Sequence, residues 1–236
     1  GVQTCALPIF DAVVAVLAQG DAELVPSAVA AARALTPSKD RVDALRAALL
    51  RIGETDGDES LRLSALSAVP GGLPALSPAL FSFLMQRLTP EQPVAIRSAA
   101  ADVASKARLT PEQLRALAGV LKSAGPLEVD RLLNAFEQTR DEAIGAAVVD
   151  ALQHSAALSS LRVETLKPRQ AKFGPKVEKK AEPLYATLSA ELAQQRAKLE
   201  ETLAQLAGGD VRRGQTVFNS SKAACMSCHA IGYVGG

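Results

Sequence analysis

Four stretches rich in small apolar residues recur along this chain at a nearly constant interval, and that interval limits the fold more than any other feature. They read VAAARAL at 29–35, LRLSAL at 61–66, IRSAAA at 96–101 and VDRLLNA at 129–135. The helices that carry them are expected to begin near 24, 58, 91 and 126, spaced 34, 33 and 35 residues apart. Helix pairs at such a period indicate an α-solenoid, in which each pair buries its apolar stripe only against its neighbours. Composition agrees. Hydrophobic residues make up 48% of the 236, aromatics only 3%, and Trp is absent, which suits stacked small-residue helices and argues against a β-propeller or sandwich.

The spacing of apolar residues and of breakers predicts helices over 10–19, 22–35, 40–52, 58–69, 76–88, 91–107, 111–123, 126–138 and 141–154. Thr89-Pro90-Glu91-Gln92 and Thr110-Pro111-Glu112-Gln113 are one tetrapeptide used twice. In each, Thr is placed as N-cap, Pro as the first helical residue, and Gln to close a capping box. Ser77-Pro78 and Asp40 mark other starts, while Gly53, Gly71-Gly72 and Gly125 read as stops. This pattern, over 10–155, loosely resembles HEAT repeats.

Residues 156–176 interrupt the pattern, with turns read at Leu166-Lys167-Pro168-Arg169 and Phe173-Gly174-Pro175-Lys176. Lys167, Arg169, Lys172, Lys176, Lys179 and Lys180 form a basic cluster with Glu178 as its only acid. The cluster reads as a solvated linker, or as an attractor for an acidic partner or a haem propionate. A long helix is then expected over 177–207, with Leu184, Leu188, Leu192, Leu199, Leu203 and Leu206 on one stripe. Gln195 and Arg196 interrupt the stripe, so a spacer packed on the end of the repeats fits better than a coiled coil. Gly208-Gly209 ends the helix.

The chemistry is concentrated near the C-terminus, in Cys225-Met226-Ser227-Cys228-His229. C-x-x-C-H is the attachment signature of c-type haem. Two intervening residues put both sulfurs on one edge of a short helix, to meet the two vinyl groups of one haem. The next imidazole, on His229, then serves as axial iron ligand. A structural zinc site would need four ligands, and the only other Cys and His are Cys5 and His154. A thioredoxin-like redox pair would need a βαβ context, which 210–236 lacks. Upstream, Asp210 is placed as an N-cap, and Gly214, Val217 and Phe218 fall on one helical face. Phe218 offers an aromatic wall for a porphyrin. This segment looks like the first helix of a class I cytochrome c domain, in which a G-x-x-x-F-type face precedes the haem motif.

Other classes find little support. Lys+Arg and Asp+Glu balance at 26 against 25, so global charge points to neither nucleic acid nor membrane. No apolar run reaches the length of a membrane span. No Gly-rich phosphate loop, nucleophile elbow or carboxylate pair is present. His154 reads as a surface or capping side chain and Met85 as core. Met226 lies inside the haem loop, where it cannot reach the opposite face of the ring. Residues 1–9 match the translation of a sequencing adapter and are set aside as a scar, which leaves Cys5 without a role. The chain is accordingly read as an internal fragment.

Taken together, the repeats, the long helix and the run from Gly209 to Gly236 resemble the HEAT-repeat plus haem-binding region of large membrane-bound dehydrogenases from planctomycetes and related bacteria. The resemblance implies an all-α fold: a HEAT-like solenoid over 10–155, a basic linker and long helix over 156–207, and the start of a class I cytochrome c domain over 208–236. It implies covalently attached haem c on Cys225, Cys228 and His229, and electron transfer with a redox partner or an upstream dehydrogenase domain. It also implies a periplasmic site at the bacterial cell envelope. In that family a β-propeller often precedes the repeats, and a Met beyond the motif is the second axial ligand. Neither lies in this chain, so no catalytic residue is carried over. Two rivals are an interaction scaffold without haem and a haem-based sensor.

Overall fold

The structure, a computed structural model, describes residues 3–35, 41–55 and 57–235, without the side chains of 3–8, 227, 234 and 235. It is all-α apart from one short hairpin, and it divides into two units, Gly1–Leu188 and Ser189–Gly236.

The first unit holds α1 (Gln3–Gln19), α2 (Val25–Ala34), α3 (Val42–Thr55), α4 (Glu59–Ser67), α5 (Pro78–Arg87), α6 (Val94–Lys106), α7 (Pro111–Val120), α8 (Pro126–Ala135), α9 (Glu142–Gln153), α10 (Val163–Ala171) and the first half of α11 (Pro175–Ala204). Helix α1 runs back through part of the stretch set aside as foreign. The start expected at Asp40 lies outside the described residues.

Helices two apart in sequence pack together. α2, α4, α6 and α8 form one continuous row, and α1 with α3, and α7 with α9, make the matching contacts on the other side. The row helices begin at Val25, Glu59, Val94 and Pro126. Their contact faces hold Ala28, Ala32, Ala65, Ala100, Ala101 and Ala104, all buried, and such small side chains let helix axes approach closely. Leucines fill the layer between, among them Leu17, Leu45, Leu49, Leu63, Leu117 and Leu132 at 0% exposure. Each such burial contributes about 1.5–3 kcal/mol.

The caps explain where helices start. Asp58 accepts from the Ser60 and Leu61 amides, Ser77 from Leu80, and Asp141 from Ala143 and Ile144. Thr110 makes the full capping box. Its hydroxyl accepts from the Gln113 amide at 3.3 Å, and the Gln113 side-chain oxygen accepts from the Thr110 amide at 3.0 Å. The same tetrapeptide at Thr89 caps no helix start: the Thr89 hydroxyl lies 3.5 Å from the Gln86 carbonyl in the last turn of α5, and α6 begins only at Val94. The residue after Gln92 is Pro93. It lacks the N–H that would make the first helical bond to the Thr89 carbonyl, and its ring disfavours helical backbone at Gln92. At α7 that bond exists, from the Leu114 amide to the Thr110 carbonyl at 2.9 Å.

Two glycines read as stops have other roles. Gly125 is the N-cap residue of α8. Gly53 lies inside α3, where an added Cβ would stand 2.4 Å from Leu66 Cδ2, so it allows α3 and α4 to touch. Two glutamines join segments distant in sequence. Gln113 Nε2 donates to the Leu76 carbonyl at 3.1 Å. Gln138 accepts from the Leu109 amide and donates to the Ala107 and Ala135 carbonyls.

Residues 156–188 are part of this packed unit. The turn read at Leu166–Arg169 is helix instead, with Pro168 inside α10. Leu166 and Gln170, at 0% and 1% exposure, are buried on that helix, and the burial holds it despite the lost hydrogen bond. The basic cluster is largely neutralised within the chain. Arg169 and Lys172 pair with Glu137, Lys176 with Glu142 at 3.1 Å, and Lys180 with Asp150 at 2.9 Å. Phe173, Val177, Ala181, Leu184 and Leu188 complete the core.

The second unit contains the rest of α11, α12 (Val211–Phe218) and a hairpin of β1 (Ala230–Ile231) with β2 (Val234–Gly235). The hairpin is antiparallel, pairing Ala230 with Gly235 and Ile231 with Val234. None of its described side chains is fully buried. The leucine stripe therefore splits: Leu184 and Leu188 are core, whereas Leu199 and Leu203 are more than half exposed. Among the described residues no helix is long and apolar enough to cross a membrane.

Candidate functional site

Helix α12 starts where the sequence places its cap. The Asp210 carboxylate accepts from the Arg213 amide at 3.0 Å, and the Gly214 amide bonds the Asp210 carbonyl at 2.8 Å. Val211, Gly214, Gln215 and Phe218 then share a face, because residues three and four apart stack on a helix. With Asn219 and Ile231 they line a cavity of about 380 Å³. Gly214 and Phe218 lie on it as expected. Val217 does not: it is turned off this face and is 55% exposed. A Cβ on Gly214 would meet nothing within 4 Å among the described residues, so this glycine leaves open space on that face.

After α12 the chain turns back through Ser220, whose hydroxyl accepts from the Ala223 amide and donates to the Val217 carbonyl. Ala224 has φ +53°, in the left-handed region, the only described non-glycine residue to do so. A side chain there is strained, and such positions cluster at functional sites. Cys225–Ser227 follow as one 3-10 turn. The Cys225 carbonyl accepts from the amides of both Cys228, at 3.3 Å, and His229, at 2.9 Å. That single acceptor folds the five-residue run back on itself. Both cysteines are free thiols. Cys225 is partly buried, with its sulfur 3.7 Å from the Ala223 carbonyl, while Cys228 and His229 are exposed. Strand β1 begins directly after His229, and β2 packs on the 3-10 turn. Ile231 reaches the cavity wall from this hairpin, so cavity and motif belong to one local structure.

The hairpin, and with it Gln215, Asn219 and Ile231 as lining, is a part of the site that the sequence reading missed. The signal was present in Ala230-Ile231-Gly232-Tyr233-Val234, where apolar residues flank a glycine at φ +63°. Met226 is partly buried inside the turn. His154 is exposed at the end of α9, its Nδ1 2.9 Å from the Asp150 carbonyl, and Met85 packs against the core. The side chain of Cys5 lies outside the described residues. Among the described residues, no group of three or more His, Cys, Asp or Glu side chains is gathered for a metal ion.

Compared with known proteins, the chain matches no family model, no curated protein and no solved structure.

Proposed function

We propose that this chain is a c-type haem-binding electron-transfer module carried on a HEAT-like helical scaffold. The observation that carries the reading is the folded C-x-x-C-H run. Cys225, Cys228 and His229 occupy one turn, with both thiols free, in the same local structure as an apolar cradle. The residues fit the group. Val211, Phe218 and Ile231 suit the apolar face of a porphyrin, and Gly214 leaves room for it.

Cys225 and Cys228 would hold haem c through two thioethers. His229 would offer its unprotonated ring nitrogen to the iron. When bound, the haem supplies a one-electron couple. The chain's own part would be to fix the imidazole next to the thioethers and to offer an apolar face on the cradle side. The regular rows of α2, α4, α6 and α8 support the solenoid reading, a surface suited to protein contacts. A dehydrogenase domain or soluble carrier would be the redox partner, at the periplasmic side of a bacterial envelope, where such haem is attached.

Expression with the cytochrome c maturation machinery tests this. The chain is expected to run on a denaturing gel with covalent, Soret-absorbing haem, and Cys225→Ala/Cys228→Ala to lose it entirely. No covalent haem on the unmutated chain sinks the proposal.

A further inference from the structure

Gln170 is 1% exposed, yet its side-chain oxygen has no hydrogen-bond partner among the described residues. Arg169 Nη1, one residue earlier, is also shut off from solvent and unbonded. Buried polar atoms are almost always satisfied, by protein or by ordered water, so such a pair calls for an explanation. The two do not serve each other, because successive residues on a helix point about 100° apart. Their helix, α10, already lacks a backbone hydrogen bond at Pro168.

Both residues line one small cavity within the first unit, together with Glu137. Its volume is about 10 Å³, which admits one water molecule and nothing larger. Much of the wall is apolar, from Phe136, Val148 and Phe173. Lys172 also borders it, but its ammonium is held by Glu137. Arg169 Nε stands 3.9 Å from Glu137 Oε1, beyond hydrogen-bond range, and a polar contact of that length is where a bridging water belongs. An ion suits the cavity poorly. A cation would face the Arg169 guanidinium, and an anion the Glu137 carboxylate. The groups present, an N–H donor and two kinds of oxygen acceptor, call for a neutral molecule that both accepts and donates.

We propose that this cavity binds one structural water, which accepts from Arg169 Nη1 and donates to Gln170 Oε1 and the Glu137 carboxylate. Three bonds are the number a buried water commonly makes. The water ties α10 to the turn after α8, where Glu137 lies. The inference is independent of the haem reading.

The test uses the full chain and needs no haem. Oxygen-17 magnetic relaxation dispersion counts waters that stay bound for longer than nanoseconds. Gln170→Leu keeps the side chain close to its size and removes the acceptor. It is expected to lower that count by one while the variant still unfolds cooperatively. In the unmutated chain, water should show a nuclear Overhauser contact with the Val148 methyl protons, with the sign of a long-lived complex. Val148 is 1% exposed and its methyl protons do not exchange, so bulk water does not give that signal. This second measurement decides the matter if the variant fails to fold. An unchanged water count in a folded Gln170→Leu variant overturns the proposal. So does a folded unmutated chain that lacks the Val148 contact.

Discussion

Gly145 in α9 is a glycine whose role no local rule announces. A Cβ there would stand 2.4 Å from Phe173 Cγ, a side chain 28 positions further on. Gly145→Ala is therefore expected to destabilise the first unit by about 1–3 kcal/mol, the cost of overpacking. Gly119 in α7 has nothing within 4 Å of its Cβ position. Gly119→Ala should gain up to about 1 kcal/mol from helix propensity alone. Paired denaturant titrations of the two variants check this, and equal effects would remove the packing argument. The same contrast separates the parts of the candidate site. Cys225, Cys228 and His229 were legible because their pattern is local, five consecutive residues around one carbonyl. Ile231 was not, because it reaches the cavity only after the hairpin folds back.

At the level of elements, the repeated tetrapeptide is the clearest case. Thr110→Ala removes a hydroxyl that accepts from the Gln113 amide, and should cost about 1 kcal/mol. Thr89→Ala removes a hydroxyl that makes no N-cap and bonds the Gln86 carbonyl at 3.5 Å, and should lower the melting midpoint much less. Thermal unfolding of the two variants side by side decides it. The apolar periodicity predicted the nine described helices up to residue 154 in kind, with most ends a few residues off and the start of α1 seven residues late. What it missed had a tertiary cause. Pro168 looked like a turn, but burial of Leu166 and Gln170 keeps α10 helical. The segment 167–180 looked like a solvated linker, but the acidic partners of Lys172, Lys176 and Lys180, namely Glu137, Glu142 and Asp150, lie on earlier segments that sequence spacing does not connect to them.

For the whole molecule, the division falls inside one helix. The first half of α11 buries Val177, Ala181, Leu184 and Leu188, while beyond Ser189 it buries nothing fully. Stability follows buried contacts, so amides of 177–188 should exchange with solvent far more slowly than those of 192–204. Hydrogen exchange read by mass spectrometry along α11 measures this, and uniform protection would contradict it. Within the first unit, Gln113 makes one of the long-range joins between side chain and backbone. Capping-box grammar treats Glu and Gln as interchangeable at this position. Here the amide nitrogen also holds the Leu76 carbonyl, 37 residues earlier, and a carboxylate would set oxygen against oxygen. An exchange that is neutral for one helix therefore carries a cost at a neighbouring loop, because position 113 calls for a side chain that can both accept and donate.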